Sequence, residues 1–394
     1  MSSLTADTLE LLQTMIRNAC VNDGTPTSGE ETRNADTLQH FLEGAGLDVQ
    51  RYTSIPGRDS VVARIEGSDP DAPSLCLMGH TDVVPIDGQE WDSDPWEVIE
   101  SDGKYIGRGV CDMKGFDALA IWALVEAHYR GVKRPLQLAL SYDEEVGCRG
   151  APPMIDRMLE VLPKASAVIV GEPSVMQPVT AHKGGVGYRL HVIGYEVHSS
   201  LMHTGVSAIM SGAKIIDWAN QTNSASSVAQ PSDVAALFNP PYTTAHVGTI
   251  SGGTAGNITA KDCYFSVDFR VLPDETPETW YDRLKSKIDA VEQEMKAVRP
   301  EARIDVTPGY FVPGLRPEAE GEAEMIVRQI TGDNGTHVVS YGTEAGQFQE
   351  RGYSAVICGP GDIAQAHQPN EFMEISQFKA GQDFMVSLLD RLES

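Results

Sequence analysis

The sequence predicts an α/β layer structure that is interrupted by an inserted α+β unit. Up to residue 182, short apolar runs alternate with segments of helical periodicity, and this alternation is typical of strands that helices cover on both faces. Between residues 183 and 296 the texture changes to strands in which apolar and polar residues alternate, and the first pattern returns in residues 297–394. We therefore expect one domain made of residues 1–182 and 297–394, with a second domain inserted at 183–296.

The elements of the α/β domain are predicted from its apolar runs in chain order. The N-terminal segment has the apolar spacing of an amphipathic helix. Four apolar runs predict strands, at 60–65, 74–78, 136–142 and 165–170. Helical periodicity between them predicts helices at 115–129 and 154–159. After the insertion, strands are expected at 336–340 and 354–358, and a helix at 375–392 closes the chain.

The inserted domain is predicted as a small sheet with one helical face. A strand at 187–193 precedes a helix at 205–221 and a connection at 222–233 that is rich in Ser, Ala and Pro. Two alternating strands follow at 244–251 and 262–272, and a strongly charged helix is expected at 277–297. Strand, helix, two strands and helix in this order form a compact α+β unit.

Composition and charge exclude several classes of function. The chain has 394 residues, of which 41% are hydrophobic, so it can bury a sizeable core. Its 30 Lys and Arg residues are outnumbered by 56 Asp and Glu residues, which gives a formal net charge of −26. A field of that sign repels phosphate backbones and anionic lipids, so we expect neither nucleic acid nor a membrane surface as a partner.

The cellular location is predicted from the N-terminal segment, the apolar runs and the spacing of the cysteines. The N-terminal segment has no basic stretch followed by an apolar one, as a signal peptide would have, and no apolar run approaches the roughly 18 residues of a membrane span. The six cysteines are scattered and form no CxxC pair. This usage is typical of reduced thiols, and we expect a cytoplasmic protein.

Histidine and acidic residues follow the predicted strands at several points. His80 and Asp82 come directly after the second strand, and two residues apart on extended chain they face the same way. A metal-binding imidazole typically donates its other ring N–H to a carboxylate, which this spacing supplies; a structural histidine beside a capping aspartate is the alternative. Asp112 precedes the helix at 115–129 and is either its N-cap or a carboxylate that bridges two metal ions.

Further acidic residues follow the next two strands. Asp143, Glu144 and Glu145 are consecutive after the third strand, where a bound cation would relieve their mutual repulsion, although a solvated acidic turn would look the same. Glu172 follows the fourth strand and His367 lies near the C-terminus. Open α/β sheets build their sites at such strand ends. Two histidines with carboxylates suit zinc, with cobalt or manganese as alternatives.

Six short strings occur along the chain in one order: GHTDVVP, GRGVCDMKG, DEEVGCRGA, GEP, HKGG and AHQPNE. Together they resemble the co-catalytic zinc amidohydrolases and metallopeptidases, the family that groups acetylornithine deacetylase, succinyl-diaminopimelate desuccinylase, aminoacylase and glutamate carboxypeptidase. The resemblance spans nearly the whole chain. It implies a zinc-peptidase-like catalytic domain, with a mixed sheet between helices, and an inserted ferredoxin-like α+β domain that serves as lid and dimerisation domain.

The resemblance also implies a ligand set for two zinc ions in each subunit. His80 and Glu172 would bind one ion, and Glu145 and His367 would bind the other. Asp112 would bridge the two ions. The implied activity is hydrolysis of N-acetyl-L-ornithine to L-ornithine and acetate, with another N-acyl amino acid or a dipeptide as the alternative substrate.

Five further residues receive roles from the resemblance. Asp82 would orient the first histidine ligand, and Glu144 would be the general base. His198 would reach the active site of the partner subunit in a homodimer and stabilise the oxyanion, with surface packing as the alternative role. Asn257 and Arg270 would hold the substrate carboxylate; an ordinary exposed strand residue is the alternative for Arg270.

Overall fold

The computed structural model describes residues 3–393, which divide into two units. The first unit comprises the residues up to Ala181, then Leu315–His337, and the residues from Thr343 onward. The second unit comprises His182–Gly314 and Val338–Gly342. The chain therefore leaves the first unit after one long segment and returns to it.

The first unit is built on a mixed sheet whose strands are short and largely buried. Its order is β1-β2-β6-β3-β7-β15-β8-β14. The strands β6, β3, β7 and β15 run parallel to one another, whereas β1 pairs antiparallel with β2, β2 with β6, and β8 with β15. Their bounds are β1 (Val49–Ile55), β2 (Arg58–Ile65), β3 (Leu75–His80), β6 (Leu136–Ser141), β7 (Ala167–Pro173), β8 (Val179–His182), β14 (His337–Val339) and β15 (Ser354–Gly359).

Helices pack around this sheet and complete the core of the first unit. The central helix α3 is buried along nearly all of its length, as its apolar residues require. It contacts β3 and β6 of the sheet and the terminal helices α1 and α9. The helices of this unit are α1 (Ser3–Arg17), α2 (Thr32–Gly44), α3 (Lys114–Arg130), α4 (Ala151–Val161), α7 (Glu322–Thr331), α8 (Ala345–Glu350) and α9 (Ile375–Glu393).

The second unit is an antiparallel sheet with two long helices. The sheet has the order β10-β12-β9-β13, and β11 also pairs with β12. Inward side chains of the sheet, such as Phe269, pack against Trp280 and Leu284 of the second helix. The elements are β9 (Gly184–Ile193), α5 (Ala208–Ser227), β10 (Thr244–His246), β11 (Ile250–Gly252), β12 (Asp262–Val271), α6 (Pro277–Val298) and β13 (Arg303–Val312).

The predicted fold class is confirmed: a mixed sheet between helices, with a separate antiparallel sheet of the α+β type. The sequence pattern ends the inserted domain at residue 296. In the structure the second unit continues further, because β13 pairs with β9 from Arg303 to Val312. The predicted strand at 244–251 is two separate strands, β10 and β11, and α5 continues into the segment predicted as a connection.

Several elements of the structure have no counterpart in the sequence prediction. Helices α2 and α7 and strand β1 are absent from it, as is a three-stranded sheet of the order β16-β5-β4, formed by β4 (Ile99–Ser101), β5 (Lys104–Ile106) and β16 (Phe372–Glu374). Strands of three residues are too short to show a period. Among residues 3–393, every helix is too short or too polar to cross a lipid bilayer.

Candidate metal centre

The parallel strands of the first unit bring the candidate ligands to one edge of the sheet. His80 is the last residue of β3, Glu172 lies near the end of β7, and Asp143–Glu145 follow β6 after one residue. Because β6, β3 and β7 run parallel, their carboxyl ends lie side by side. Asp112 enters from the loop before α3, and His367 from the loop after β15.

The first ligand group consists of His80, Asp112 and Glu172. The Nε2 atom of His80 lies 3.1 Å from Oδ1 of Asp112 and 3.8 Å from Oε1 of Glu172. The three candidate ligand atoms all lie within 4.8 Å of one another, and all three residues are buried. One cation can therefore contact a nitrogen and two carboxylate oxygens here.

The second ligand group consists of Asp112, Glu145 and His367. The Nε2 atom of His367 lies 3.2 Å from Oδ2 of Asp112 and 3.0 Å from Oε2 of Glu145. These ligand atoms also lie within 4.8 Å of one another. Asp112 belongs to both groups and turns a different oxygen toward each histidine, which is the arrangement a bridging carboxylate requires.

Asp82 is fully buried behind the first group and contacts both His80 and the turn that follows β6. Its Oδ1 atom lies 3.4 Å from Nδ1 of His80, the ring nitrogen that faces away from Asp112. The same carboxylate accepts hydrogen bonds from the backbone N–H groups of Glu144 and Glu145, each at 3.2 Å. The backbone carbonyl of Asp82 also lies 3.2 Å from Nδ1 of His80, so both polar groups of this residue face the imidazole, and its carboxylate holds the turn that carries both glutamates.

The three consecutive acids diverge. Asp143 turns away from both ligand groups, where Nε of Arg58 lies 2.8 Å from its Oδ1 and Asn22 donates to the same oxygen at 2.6 Å. Asp143 forms a third acidic group with Glu31 and Asp82. Arg58 also pairs with Glu31 at 3.2 Å, so a guanidinium already supplies positive charge to that group.

Glu144 stands apart from both ligand groups but close to the first. Its Oε2 atom lies 4.0 Å from Nε2 of His80, and its Oε1 atom accepts a hydrogen bond from the thiol of Cys148 at 3.0 Å. Burial raises the pKa of Glu144, and the negative charge of Asp112 raises it further, against the opposing effect of His80. A carboxylate of raised pKa that binds no cation is suited to accept and return a proton.

The electrostatics of the two groups fit divalent cations. Burial, followed by repulsion from Asp112, raises the pKa of Glu145 to about 8 and that of Glu172 well above its usual range. The buried Oε1 atom of Glu145 has no hydrogen-bond partner within the described part of the chain. Hydrogen bonds to Asp112 and Glu145 raise the pKa of His367 to about 11, so this cluster of carboxylates favours positive charge. The nitrogen and oxygen donors suit zinc, cobalt or manganese.

The remaining predicted site residues belong to the second unit. His198 and Asn257 are exposed neighbours, because His198 forms a β-bridge with Ile258. Arg270 lies near the end of β12 with 44% of its side chain exposed, and its Nε atom is 3.4 Å from Oδ1 of Asp268. The structure therefore places His198 and Asn257 together on one surface of this unit.

Sequence reasoning missed several residues that support the ligands. Asn22 donates to Asp82 at 3.0 Å, yet a single asparagine far from the other site residues carries no sequence signal. Arg108 and Glu371 form a buried ion pair at 2.7 Å, and Glu371 accepts from the backbone N–H of Asp112 at 3.1 Å. Both lie beside predicted ligands in the chain, in GRGVCDMKG and AHQPNEF, and that proximity was the available signal.

Comparison with known proteins places this chain in a family. The model of peptidase family M20/M25/M40 matches residues 76–391. Acetylornithine deacetylase from Myxococcus xanthus is 34% identical over 337 residues, which are 86% of this chain and 82% of that protein. Acetylornithine deacetylase from Salmonella typhimurium is 30% identical over 352 residues, 89% of this chain and 88% of that protein.

Solved structures share the fold at lower identity. An M20 family metallo-carboxypeptidase from Sulfolobus solfataricus has a TM-score of 0.78 at 17% identity, over 98% of this chain and 99% of that chain. An aminopeptidase from Bacillus cereus has a TM-score of 0.74 at 17% identity, over 99% of both chains. Because the family model covers most of the chain, and because relatives at 30–34% identity match it over most of their length, the chain belongs to peptidase family M20/M25/M40 and is a metallohydrolase of that family.

Proposed function

We propose that this protein hydrolyses N-acetyl-L-ornithine to L-ornithine and acetate at a centre of two divalent cations. One observation carries the catalytic part of the proposal: two ligand groups share Asp112, and the carboxylate of Glu144 lies beside them without belonging to either. The substrate is proposed from the two acetylornithine deacetylases that match most of the chain at 30–34% identity.

In this proposal His80, Asp112 and Glu172 hold one cation, and Asp112, Glu145 and His367 hold the other. We expect zinc, with cobalt or manganese as alternatives. A bound pair of such ions supplies Lewis-acid chemistry, which lowers the pKa of a water molecule to about 7 and withdraws charge from a carbonyl oxygen. The chain itself supplies the ligands and their orientation.

Glu144 carries the proton through the reaction. Its carboxylate accepts a proton from the attacking water as the water oxygen bonds to the amide carbon, and it delivers that proton to the nitrogen as the C–N bond breaks. The raised pKa of Glu144 serves both steps, because a stronger base takes the proton more readily and its conjugate acid remains able to give it up. Asp82 keeps Glu144 in place through the backbone N–H of that residue.

The second unit supplies the remaining parts of the proposal. The exposed imidazole of His198 is proposed to reach the active site of the partner subunit in a homodimer and to stabilise the oxyanion. Asn257 and Arg270 are proposed to hold the carboxylate of the substrate, since a guanidinium binds a carboxylate through two N–H groups. The six cysteines, all within residues 3–393, are free thiols, which supports a cytoplasmic location.

The proposal is tested with purified protein loaded with zinc. Incubation with N-acetyl-L-ornithine is expected to release ornithine and acetate, which mass spectrometry detects directly. A panel of N-acetyl-citrulline, N-succinyl-diaminopimelate, N-acetyl-methionine and an unmodified dipeptide is run in parallel. Hydrolysis of one of these without release of ornithine would reject the substrate and keep the chemistry.

The matched control is Glu144→Gln, which keeps the size of the side chain and removes its basicity. Because Glu144 is not a member of either ligand group, we expect the zinc content to equal that of the parent protein. Turnover should fall by about 10²–10⁴-fold, the usual contribution of a general base. A variant that retains full turnover would reject this role for Glu144.

A further inference from the structure

A fully buried ion pair lies next to the second ligand group. Nη1 of Arg108 donates to Oε2 of Glu371 at 2.7 Å, and both side chains are about 1% exposed. The proposed hydrolysis uses neither residue. A buried charged pair is costly to desolvate, so it persists only where further hydrogen bonds complete it.

The other carboxylate oxygen of Glu371 accepts hydrogen bonds from the backbone at Asp112, the bridging ligand. Its Oε1 atom accepts the backbone N–H of Cys111 at 3.0 Å and the backbone N–H of Asp112 at 3.1 Å. Charge-assisted bonds of this kind are stronger than bonds between neutral groups. Glu371 thus holds the backbone from which the Asp112 carboxylate projects.

Gln89 connects the guanidinium of Arg108 to the backbone of His367. Nη2 of Arg108 donates to Oε1 of Gln89 at 2.5 Å, and Nε2 of Gln89 donates to the backbone carbonyl of His367 at 2.9 Å. The ring of Trp91 adds a second layer, since the Arg108 guanidinium carbon lies 5.2 Å from its centroid. One continuous chain of hydrogen bonds therefore joins the backbone of His367 to the backbone of Asp112.

We propose that Gln89, Arg108 and Glu371 form a clamp that positions His367 against Asp112 and thereby sets the affinity of the second cation group. The inference rests on the proposed two-cation centre. The three clamp residues are positioning residues, because none of them is a member of either ligand group.

The selectivity for one group follows from where the ligands sit. His80 is paired with Ser141 in the ladder of β3 and β6, and Glu172 lies within the fully buried strand β7. His367 lies on a loop, its side chain is 51% exposed, and its φ of +59° is in the left-handed region that a non-glycine residue adopts reluctantly. Its position therefore depends on bonds from outside its own element, and Gln89 supplies one.

The test measures zinc affinity rather than turnover. Removing the partners that orient metal ligands typically lowers metal affinity 10–100-fold. In Gln89→Ala, titration with Zn²⁺ against a competing chelator is expected to show one of the two binding steps weakened by about 10–100-fold and the other changed by less than about twofold. The variant His367→Ala identifies which step belongs to the second group. Substitution of cobalt for zinc gives an independent readout, since its visible absorption spectrum reports the ligand geometry.

Gln13→Ala is the matched control. Gln13 is also half-buried, and it links two segments in the same way, by donating to the carbonyl of Trp96 at 3.3 Å and accepting the N–H of Val98 at 2.9 Å. It carries no cation ligand on either side. Both zinc affinities should therefore equal those of the parent protein. Gln89 is preferred to Arg108 for the main variant because loss of the fully buried guanidinium also threatens folding.

The clamp is overturned if Gln89→Ala binds both ions as the parent does, if both steps weaken equally, or if Gln13→Ala reproduces the selective loss. A parent protein that binds fewer than two zinc ions would overturn the clamp together with the two-cation centre. A parent protein that binds two zinc ions but releases no ornithine would reject the proposed substrate and leave the clamp standing.

Discussion

Asp117 is a buried carboxyl group whose substitution should stabilise the protein. It lies in the first turn of α3, is fully buried, and neither of its carboxylate oxygens has a hydrogen-bond partner among residues 3–393. Helix and strand meet closely here, since a Cβ atom added at Gly79 would lie 2.0 Å from Oδ1 of Asp117. Burial raises the pKa of Asp117 from 3.8 to about 8, against the opposing charges of His80 and Lys114.

Because the pKa of Asp117 is raised in the folded protein, its ionisation makes the fold less stable as the pH increases. A carboxyl group whose pKa is higher in the folded state binds its proton more tightly there. Below pH 3.8 the group is protonated in both states and does not lower the free energy of unfolding, which then falls as the pH rises toward 8. Each pH unit in that interval costs about 1.4 kcal/mol. Ionisation of Asp117 stabilises the unfolded chain. Compared with a neutral side chain, it therefore lowers the free energy of unfolding by about 2 kcal/mol at pH 5 and by about 4 kcal/mol at pH 7.

Asp117→Asn removes this titration while keeping the shape of the side chain. We expect the stability of the variant relative to the parent to rise by about 1.4 kcal/mol for each pH unit between pH 5 and pH 7, since the cost of a buried amide without partners does not depend on pH. The measurement is urea denaturation at pH 5, 6 and 7 with a chelator present, so that bound cations do not contribute. Asp383→Asn, at an exposed position on α9, is the control for the same substitution away from the buried site. A difference for Asp117→Asn that is constant between pH 5 and pH 7 would refute the reasoning.

Three further predictions concern the metal centre. Because Asp112 serves both ligand groups and His367 only one, Asp112→Asn should bind almost no zinc and His367→Ala about one ion per chain; elemental analysis decides, and equal contents in the two variants would count against a bridging Asp112. Cys148→Ala removes the thiol that donates to Glu144, which should slow turnover roughly 10–150-fold at unchanged zinc content, in line with a lost bond to a charged group; unchanged steady-state kinetics would mean that the thiol does not position the base. Mixing inactive His198→Ala with inactive Glu144→Gln should restore activity through one intact site in each mixed dimer, and silence in dimers shown to be mixed would contradict action across the subunit boundary.

Local patterns in the chain were sufficient to predict the central strands and the long helices. The apolar run at 136–142 corresponds to β6, and the periodic segment at 115–129 corresponds to α3. Both were predictable because a buried strand and a buried helix each require a characteristic spacing of apolar residues along the chain. Strand β1 was not predicted, since it is at most half-buried and lacks a continuous apolar run. The partner of β13 could not be predicted either, because strand pairing is a non-local choice that a local period does not encode.

The chemistry of the site was visible in the chain before its geometry. Histidine and carboxylate at the ends of apolar runs indicated a metal centre, since open α/β sheets expose those ends at one edge. The spacing of the Asp143–Glu145 run alone could not show which acid joins a ligand group, because neighbouring side chains diverge and the choice depends on distant partners; only the family resemblance assigned Glu145 as a ligand and Glu144 as the base. Arg58 and Asn22 take up Asp143, which leaves Glu145 in a ligand group and Glu144 outside it.

The sequence by itself determined the kinds of donor atom, their order along the chain and the family to which they belong. Only the tertiary structure decided that Asp112 faces two histidines at 3.1 and 3.2 Å, and that Gln89, Arg108 and Glu371 join the loops that carry two of the ligands. The physical reason is that residue type and periodicity act over a few neighbouring residues. The convergence of segments hundreds of residues apart instead depends on the order of strands in the sheet and on the packing of the helices against it.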